Sequence, residues 1–441
     1  MTLTELRKKI ENKEAQLAVI GLGYVGLPVA ALFANCGFDV LGIEIRQEKI
    51  EKINAGISPI EGEEPGLADM LSRVVSAGKL HATSDYRALR NCDVVLIDVE
   101  TPVDENNIPR YEALRASMIN LAPLLKKGAL VVIESTIAPG TMDAVVVPLL
   151  ESSGKKLNQD FYLGNCPERV MPGKLLTNLR SLSRVVGGGT PETVQTMVLL
   201  YRNIVQADLD PTDWITAELV KTVENAYRDV QIAFANEVAL ICEAIGGDVW
   251  KVRELVNKSP YRQMHLPGAG VGGHCITKDP WLLAYGVEEY DLLLRMIPAA
   301  RSVNDSMPLH IARLLRSALA EAGCLIDDAR VLIMGYAYLE NSDDTRNSPS
   351  IALVNYLKQR GVDVVVHDPY VPMYQGDLIE LAKDRDAAVV MVAHTPYKSL
   401  DLDELKSMLR SPVIVDGRNV FPELRKSTDE WIYRGVGFRA K

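Results

Sequence analysis

Cysteines are few in this chain of 441 residues, and no apolar run approaches the roughly 20 residues needed to span a bilayer. The six cysteines stand far apart, with no CxxC pair and no Cys/His cluster at metal-ligand spacing. A disulfide framework or a metal site is therefore not expected. The N-terminus, TLTELRKKIENKEA, lacks the apolar core of a signal peptide. We expect a cytoplasmic protein with free thiols and no membrane partner.

Basic charge is also in short supply. Lys and Arg total 48 against 58 Asp and Glu, which gives a net charge of -10. This balance argues against a nucleic-acid partner or an anionic membrane surface. An anionic ligand must be met by local positive charge.

Strand-like and helical patterns alternate at both ends of the chain. The stretch QLAVIGLGYVGLPVAALFANCGFDVLGIE reads as strand, glycine turn, helix and second strand, and CDVVLIDVE and ALVVIES extend the alternation. After Pro308 it resumes in RVLIMGYAY, GVDVVVHDPY, DAAVVMVAHTP and PVIVDGRNV. Such alternation predicts parallel sheets covered by helices on both faces. The expected fold class is α/β, with two Rossmann-like, doubly wound parallel-sheet domains.

The middle of the chain follows a different pattern. From Asp213 to Ile245 there is no Gly or Pro, which predicts one helix of ~50 Å at 1.5 Å per residue. Its mixed apolar surface indicates a central connector that also packs against a second subunit. Because the length exceeds what one core supports, we expect three domains: 1–205, a central helical dimerisation domain over 206–305, and 306–441. The last lacks a GxGxxG pattern, so it should hold a different ligand from the first.

The segment GLGYVG indicates a dinucleotide site. Gly21, Gly23 and Gly26 follow a strand-like run and precede a helix, where the turn, the pyrophosphate approach and the helix–strand contact each need a missing side chain. Glu44 ends the second strand, 18 residues past Gly26, where its carboxylate can accept bonds from the adenosine ribose. That carboxylate repels a 2'-phosphate and so favours NAD. Arg46 and Lys49 nearby keep NADP open, and a tight turn that binds no ligand is the other alternative.

Cys275 lies in GVGGHCITKDP, a loop where backbone can approach another molecule closely because Gly270, Gly272 and Gly273 carry no side chains. A nicotinamide can remove one hydride from an alcohol, but a bare aldehyde needs a nucleophile before it can lose a second. A cysteine thiolate supplies the tetrahedral carbon, giving in turn a thiohemiacetal, a thioester and a carboxylate. A thiol beside an NAD site therefore indicates a two-step oxidation.

This route also needs a donor beside the developing oxyanion and a base or ordered water. Lys221 and Asn225 lie four residues apart on one face of the long helix, yet they would also suit a solvated lysine with a polar neighbour. Glu168 and Arg169 would equally suit an ordinary surface pair. The candidates for these roles are Lys221, Asn225, Asp279, Glu168 and Thr136. Their spacing along the chain does not by itself show that they lie together.

Six motifs resemble those of the UDP-glucose/GDP-mannose dehydrogenase family: STIAPGT, PERVMPG, ELVKTVENAYRDVQIAFANE, PGAGVGGHCITKDP, SDDTRNSP and DGRN. The resemblance runs from GLGYVGLP to DGRN, nearly the whole chain, and the motifs are specific in combination. It implies NAD-dependent oxidation of the C6 alcohol of a nucleotide sugar to a uronate. It also implies NAD binding by the first domain, UDP-sugar binding by the last, and at least a homodimer.

The resemblance assigns roles position by position. Cys275 matches the nucleophile, Lys221 the cation that stabilises the oxyanion, and Asn225 a partner of the reacting oxygen. Glu168 matches the general base, and the positions that order water match Asp279 and Thr136. The expected cofactor contacts are Gly21, Gly23, Tyr24, Val25, Gly26, Glu44, Arg46, Thr101, Thr136, Lys278 and Arg346. The expected substrate contacts are Glu168, Arg169, Val170, Lys221, Asn225, Arg262, His265, Gly272, Tyr338, Leu339 and Arg418, with Arg262 supplied by the neighbouring subunit.

Within the family, PERVMPG and GVGGHCI with the following DPW look most like the branch acting on UDP-N-acetylhexosamines, especially UDP-N-acetylmannosamine. The family commonly has Phe-Lys where this chain has Tyr338 and Leu339, so one cationic contact to the nucleotide sugar is lost. UDP-N-acetylglucosamine, UDP-N-acetylgalactosamine and UDP-glucose stay open as substrates. A one-step dehydrogenase, which has no need of Cys275, and a non-catalytic NAD or UDP-sugar sensor are the alternatives from other classes.

Overall fold

The computed structural model describes residues 1–60, 62, 64–426 and 430–439. The described residues form two compact units. Unit 1 comprises Met1–Glu224 and Trp281–Leu292, and unit 2 comprises Asn225–Pro280 together with the described residues from Leu293 onward. The three domains expected from the sequence stay a prediction.

Unit 1 is built on a mainly parallel sheet. Its strands are β1 (Gln16–Ile20), β2 (Asp39–Ile43), β3 (Leu80–Thr83), β4 (Val94–Ile97), β5 (Ala129–Ile133), β6 (Phe161–Asn165), β7 (Arg184–Gly188) and β8 (Leu209–Asp213). They lie in the order β3-β2-β1-β4-β5-β6-β7-β8, which is the doubly wound arrangement. Among the described pairs of this sheet, β6 and β7 are antiparallel, and this reversal was not predicted from the sequence.

The strand register of unit 1 aligns the loops that carry the first set of candidate residues. Ile20 at the end of β1 pairs with Ile43 of β2 and Ile97 of β4, and Ile97 pairs with Ile133 of β5. The residues that follow these strands therefore emerge at one edge of the sheet, where open α/β sheets bind their ligands.

Unit 2 contains a second, wholly parallel sheet. Its strands are β9 (Arg330–Met334), β10 (Asp363–His367), β11 (Ala387–Val390), β12 (Val413–Asp416) and β13 (Ile432–Gly435), in the order β10-β9-β11-β12-β13. Met334 pairs with both His367 and Val390, so the segments after β9, β10 and β11 also emerge at a common edge. The strand β13 was not predicted from the sequence.

Helices cover the sheets and form the middle of the chain. They are α1 (Leu3–Glu11), α2 (Gly26–Asn35), α3 (Gln47–Asn54), α4 (Leu67–Ser76), α5 (Glu112–Leu121), α6 (Val147–Glu151), α7 (Leu175–Ser181), α8 (Pro191–Tyr201), α9 (Trp214–Ile245), α10 (Val249–Val256), α11 (Asp279–Tyr285), α12 (Met296–Glu321), α13 (Pro349–Gln359), α14 (Leu378–Ala382), α15 (Thr395–Lys398) and α16 (Leu402–Met408). Helix α9 has 32 residues, so the long helix is confirmed, and the division between the units falls within it.

The apolar residues are buried as the strand pattern predicts. The strands β4, β5, β11 and β12 are buried along their whole length, because helices cover both faces of each sheet. The α/β class with two Rossmann-like sheets and a central helical region is thus confirmed. Among the described residues, no helix is both long and apolar enough to cross a membrane.

Candidate active site

The glycine turn after β1 has one open position and two packed ones. Gly21 has φ +94°, and a Cβ there would lie 2.5 Å from the carbonyl oxygen of Asp98. A Cβ on Gly26, the first residue of α2 after Val25, would collide with the Gly21 carbonyl. Gly23 has nothing within 4 Å of its ideal Cβ position. The turn therefore keeps backbone accessible at Gly23, close to the N-terminus of α2, as a pyrophosphate requires.

Glu44 lies directly after β2 at the same sheet edge. Its Oε1 atom accepts hydrogen bonds from the backbone N–H groups of Ile45 (2.9 Å) and Arg46 (3.0 Å). The Arg46 guanidinium lies 3.8 Å from the same oxygen. The carboxylate is thus held in place by the backbone, and the nearby arginine is drawn towards it. This arrangement fits an NAD ribose better than a 2'-phosphate.

Two threonines expected at the cofactor site meet at the ends of β4 and β5. The Thr101 hydroxyl donates to the carbonyl oxygen of Thr136 at 2.6 Å. The loop that follows Thr136 is anchored by Glu218 of α9, whose two carboxylate oxygens accept from the N–H groups of Gly140 and Met142, each at 2.9 Å. Burial raises the pKa of Glu218 to about 7, although those N–H groups favour its charged form. Glu218 was missed in the sequence because it resembles any polar helical residue.

Lys221 is buried, with 7% of its surface exposed. Its Nζ atom donates to the carbonyl oxygen of Glu168 at 2.6 Å and lies 3.9 Å from the Glu168 Oε1 atom. The alternative of a solvated lysine is therefore wrong. A buried ammonium beside a carboxylate is the kind of group that can stabilise a developing negative charge.

The segment that carries Glu168 is held by its own polar contacts. Glu168 is 9% exposed, and its Oε2 atom accepts from the Val170 N–H at 2.5 Å. Arg169 bonds Glu224 and donates to the carbonyl oxygen of Ser183 at 2.6 Å. Glu168 and Arg169 are thus not a surface ion pair with each other, and Glu168 lies beside Lys221 in unit 1.

A further carboxylate, missed in the sequence, links the glycine turn to the segment after Val170. The Tyr24 hydroxyl donates to Glu64. The same carboxylate accepts from the N–H groups of Gly173 (2.7 Å) and Leu175 (3.1 Å). Tyr24 is therefore fixed at the edge of the turn by a residue that also shapes a neighbouring loop.

Cys275 is exposed, whereas the five other cysteines are buried or half-buried. Its carbonyl oxygen accepts from the N–H groups of Lys278 (3.1 Å) and Asp279 (2.8 Å), which closes a helical turn that leads into α11. Burial raises the pKa of the Cys92 thiol to about 11 and that of Cys166 to about 12. The geometry therefore singles out Cys275 as an accessible thiol.

The cysteine turn presents a buried polar cluster. The Asn225 amide donates to the Asp279 Oδ2 atom at 2.5 Å, and the Lys278 ammonium lies 3.4 Å from the Asp279 Oδ1 atom. Asp279 has no exposed surface, and Lys278 is 6% exposed. Unit 2 thus brings together Asn225, Lys278 and Asp279 beside the Cys275 backbone.

The glycines before Cys275 pack against their own unit. A Cβ on Gly272 would lie 2.6 Å from the Tyr338 Cβ atom and 2.7 Å from the Asn347 carbonyl oxygen. A Cβ on Gly273, which has φ +88°, would lie 2.7 Å from the Tyr338 ring. We expected these glycines to admit another molecule, but their missing side chains make room for Tyr338. Burial raises the pKa of Tyr338 to about 12.

Two expected arginines contact this loop through backbone groups. The Arg346 carbonyl oxygen accepts from the Gly273 N–H at 2.8 Å, while its guanidinium bonds Asp344. Arg418 donates to the carbonyl oxygens of Met391 (2.9 Å) and Gly270 (3.0 Å). Both arginines therefore help to hold the cysteine loop, a role that the sequence did not indicate.

The remaining expected substrate residues of unit 2 are dispersed. Arg262 is exposed, and its guanidinium donates to the Pro260 carbonyl oxygen at 3.2 Å. His265 is half-buried, and burial lowers its pKa. Leu339 is 38% exposed. Lys221 and Glu168 belong to unit 1 and Cys275 to unit 2, so a joint action of the two groups stays a prediction.

A glycine turn with an open central position and a carboxylate at the end of the next strand place this chain among the NAD-binding Rossmann proteins. Family models of the UDP-glucose/GDP-mannose dehydrogenase family then match three successive segments. They are its NAD binding domain at residues 15–205, its central domain at 215–306 and its UDP binding domain at 332–423. The chain belongs to the UDP-glucose/GDP-mannose dehydrogenase family. NAD is its cofactor, and it is a nucleotide-sugar 6-dehydrogenase.

Two relatives of this chain have names that specify N-acetylated sugars. The UDP-N-acetyl-D-mannosamine dehydrogenase of Pyrococcus horikoshii is 38% identical over 96% of this chain and 99% of its own. A solved structure of that enzyme has a TM-score of 0.90 to this one. The NDP-N-acetyl-D-galactosaminuronic acid dehydrogenase structure from Methanosarcina mazei is 38% identical, covers 100% of this chain and 98% of its own, and has a TM-score of 0.88.

Proposed function

We propose that the protein oxidises the C6 alcohol of UDP-N-acetyl-D-mannosamine to the uronate, with Cys275 as a covalent nucleophile. The observation that carries the proposal is an accessible thiol in a chain whose other cysteines are buried or half-buried. The same turn carries a buried carboxylate and a buried ammonium and bonds a half-buried amide, groups that can assist a thiol in covalent catalysis. The N-acetylmannosamine relative and the PERVMPG motif support the choice of sugar.

The chemistry assigns each polar residue a proposed task. Bound NAD supplies the hydride acceptor, and two are consumed because both hydrides leave the same carbon. The Cys275 thiolate adds to the C6 aldehyde, forming a C–S bond while the carbonyl electron pair moves to oxygen. Lys221 and Asn225 stabilise the resulting oxyanion by charge and hydrogen bonding.

Hydrolysis then needs a water and a base. After loss of the second hydride, water attacks the thioester carbon, the C–S bond breaks, and the thiolate of Cys275 is restored. Glu168 accepts the proton of the water. Thr136 and Asp279 order that water. The buried state of Glu168 and Asp279 supports these tasks, because water-excluded carboxylates interact strongly with nearby dipoles.

UDP-N-acetylgalactosamine is a second candidate substrate. The Methanosarcina mazei relative is as similar to this chain as the Pyrococcus horikoshii one, at 38% identity, and its name specifies NDP-N-acetyl-D-galactosaminuronic acid. The two sugars are diastereomers that differ at C2 and C4 and share the C6 alcohol, so the same reaction would serve both. Leu339, where the family commonly has lysine, removes a cation without favouring either sugar.

A substrate panel tests the proposal. Purified protein with NAD is assayed against the UDP derivatives of N-acetylmannosamine, N-acetylgalactosamine, N-acetylglucosamine and glucose. We expect kcat/KM to be highest for UDP-N-acetylmannosamine. A highest value for UDP-glucose would contradict the assignment to acetamido sugars, and turnover of none of the four would contradict the proposed function.

We also propose a homodimer formed through one face of α9. Seven large apolar side chains of this helix are 38% to 78% exposed: Ile215, Leu219, Val223, Tyr227, Phe234, Ile241 and Ile245. At 100° per residue they fall within an arc of about 120°, which makes one continuous stripe. Such a stripe is typical of a helix that packs against another protein.

The cytoplasmic location expected from the sequence remains part of the proposal.

A further inference from the structure

A histidine with no exposed surface lies just past the carboxyl end of β11. His394 Nε2 is 3.1 Å from the Oδ2 atom of Asp368, which follows β10 and is also fully buried. His394 Nδ1 accepts the backbone N–H of Asn341 at 2.9 Å. An N–H group can only donate, so Nδ1 carries no proton and Nε2 carries the one that is donated to Asp368. The ring is therefore locked in one orientation and one tautomer.

Hydrogen bonds to this pair hold both ends of the segment 336–341. Asp368 Oδ2 also accepts from the N–H groups of Tyr336 (2.6 Å) and Ala337 (2.9 Å), at the start of the segment. Asn341, at the end of the segment, has φ +55° and is held by His394. Burial alone would raise the pKa of Asp368, but the bonds from His394, Ala337 and Tyr336 lower it to about 2. Asp368 is thus a carboxylate at any pH of interest.

The segment 336–341 contacts the cysteine loop through Tyr338. Tyr338 lies between the two ends, its N–H donates to the Asp344 carbonyl oxygen at 2.9 Å, and its side chain fills the space at Gly272 and Gly273. Cys275 follows two residues later. Since no Cβ atoms separate Tyr338 from the backbone of Gly272 and Gly273, a shift of Tyr338 towards them would displace the loop.

We infer that His394 is a positioning residue for the reaction: by holding Asn341 and Asp368 it places Tyr338 against Gly272 and Gly273 and thereby sets the position of Cys275. A side chain with no exposed surface cannot contact the substrate, so its effect passes through these neighbours. The inference rests on the proposed function for the identity of Cys275 as nucleophile. Its geometric part, the link from His394 to the cysteine loop, is independent of the substrate.

Two substitutions separate the two contacts of the ring. His394→Asn retains an acceptor at the Nδ1 position for Asn341, whereas His394→Gln retains a donor at the Nε2 position for Asp368. His367→Asn is the matched control, since His367 is another buried histidine at a strand end that bonds Tyr397 at 2.9 Å. The three variants are compared by kcat, KM, the NAD dissociation constant and the rate of iodoacetamide alkylation of the Cys275 peptide.

We expect His394→Gln to lower kcat/KM for the UDP-sugar by about 10-fold to 100-fold, the scale of a small misplacement of a reacting group. The alkylation rate of Cys275 should change severalfold, and the NAD dissociation constant should stay within about twofold. His394→Asn should lower kcat/KM less than His394→Gln does, because it keeps the Asn341 contact. His367→Asn should lower Tm without changing alkylation.

The inference is overturned if both His394 variants keep normal alkylation and kcat/KM, or if His367→Asn changes them equally. Should the His394 variants not fold, amide hydrogen exchange of the unmutated protein decides. Protection of the Tyr336, Ala337 and Asn341 amides as strong as that of β9 supports the inference, and rapid exchange refutes it. If the unmutated protein oxidises no UDP-sugar, the proposed function fails, while alkylation and exchange still test the positioning role.

Discussion

Glu218 gives the pH dependence that can be worked out most directly from the structure. Its pKa is about 7 in the folded chain against a usual value of 4.5, chiefly because the carboxyl group is buried. The folded state therefore binds the proton more tightly than the unfolded state. By linkage, this group contributes its full stability below about pH 4.5 and loses it as the pH rises through 7. At about 1.36 kcal/mol per pH unit, the loss totals about 3 kcal/mol.

The substitution Glu218→Gln removes the titration and keeps the shape. Glutamine retains one oxygen for Gly140 or Met142, so the variant should be less stable than the unmutated protein at about pH 5. At about pH 8 the unmutated protein must bury a charged carboxylate. The difference in free energy of unfolding between the two proteins should therefore shift in favour of the variant by about 2 to 3 kcal/mol relative to pH 5. The measurement is urea unfolding of both proteins at both pH values.

An exposed carboxylate on the same helix supplies the control for this measurement. Glu237→Gln changes an exposed carboxylate of the same helix α9, and its effect on stability should be alike at the two pH values. An effect of Glu218→Gln that is also the same at both pH values would refute the reasoning. The Gly140–Met142 anchor of the Thr136 loop would then bind a carboxylate that stays charged throughout.

Three further predictions address cofactor, catalysis and assembly. Glu44→Ala should narrow the preference of kcat/KM for NAD over NADP, because it removes both the ribose acceptor and the repulsion of a 2'-phosphate; equal use of both by the unmutated protein would contradict this. Lys221→Ala should lower kcat by about 100-fold or more with little change in substrate affinity, since a charge aimed at an oxyanion acts in the transition state. A change confined to KM would make Lys221 a binding residue. Phe234→Lys, in the exposed stripe of α9, should convert a dimer to a monomer in sedimentation measurements, and a monomeric unmutated protein would exclude the proposed interface.

Much of the fold could be predicted from the sequence, because local and tertiary requirements coincide there. Strands buried on both faces are apolar along most of their length, and the runs at β4, β5, β9, β11 and β12 show this directly. The strand β13, with the sequence IYRG, has no such run and is defined by its pairing with β12. The antiparallel pairing of β6 with β7 is also a tertiary property, since local sequence does not encode strand direction.

The candidate site could be predicted less completely. Cys275 and the glycine turn carry local signals in the glycines around them, and the accessibility of the thiol agrees with that interpretation. The buried state of Lys221 depends on Glu168, which lies 53 residues away in the chain. The pair of His394 and Asp368 is joined only by the parallel register of β10 and β11 with β9. Their roles depend on contacts that no spacing along the chain reveals.

The most direct test of the covalent mechanism is the ratio of NADH formed to uronate released, measured together for the unmutated protein and for Cys275→Ala. If Cys275 holds the aldehyde as a thiohemiacetal, the unmutated protein must yield two NADH per uronate. The alanine variant should still bind NAD and the UDP-sugar but release no uronate at an appreciable rate. Near-normal turnover with two NADH per sugar in Cys275→Ala would show that the thiol is structural and would contradict the mechanism proposed here.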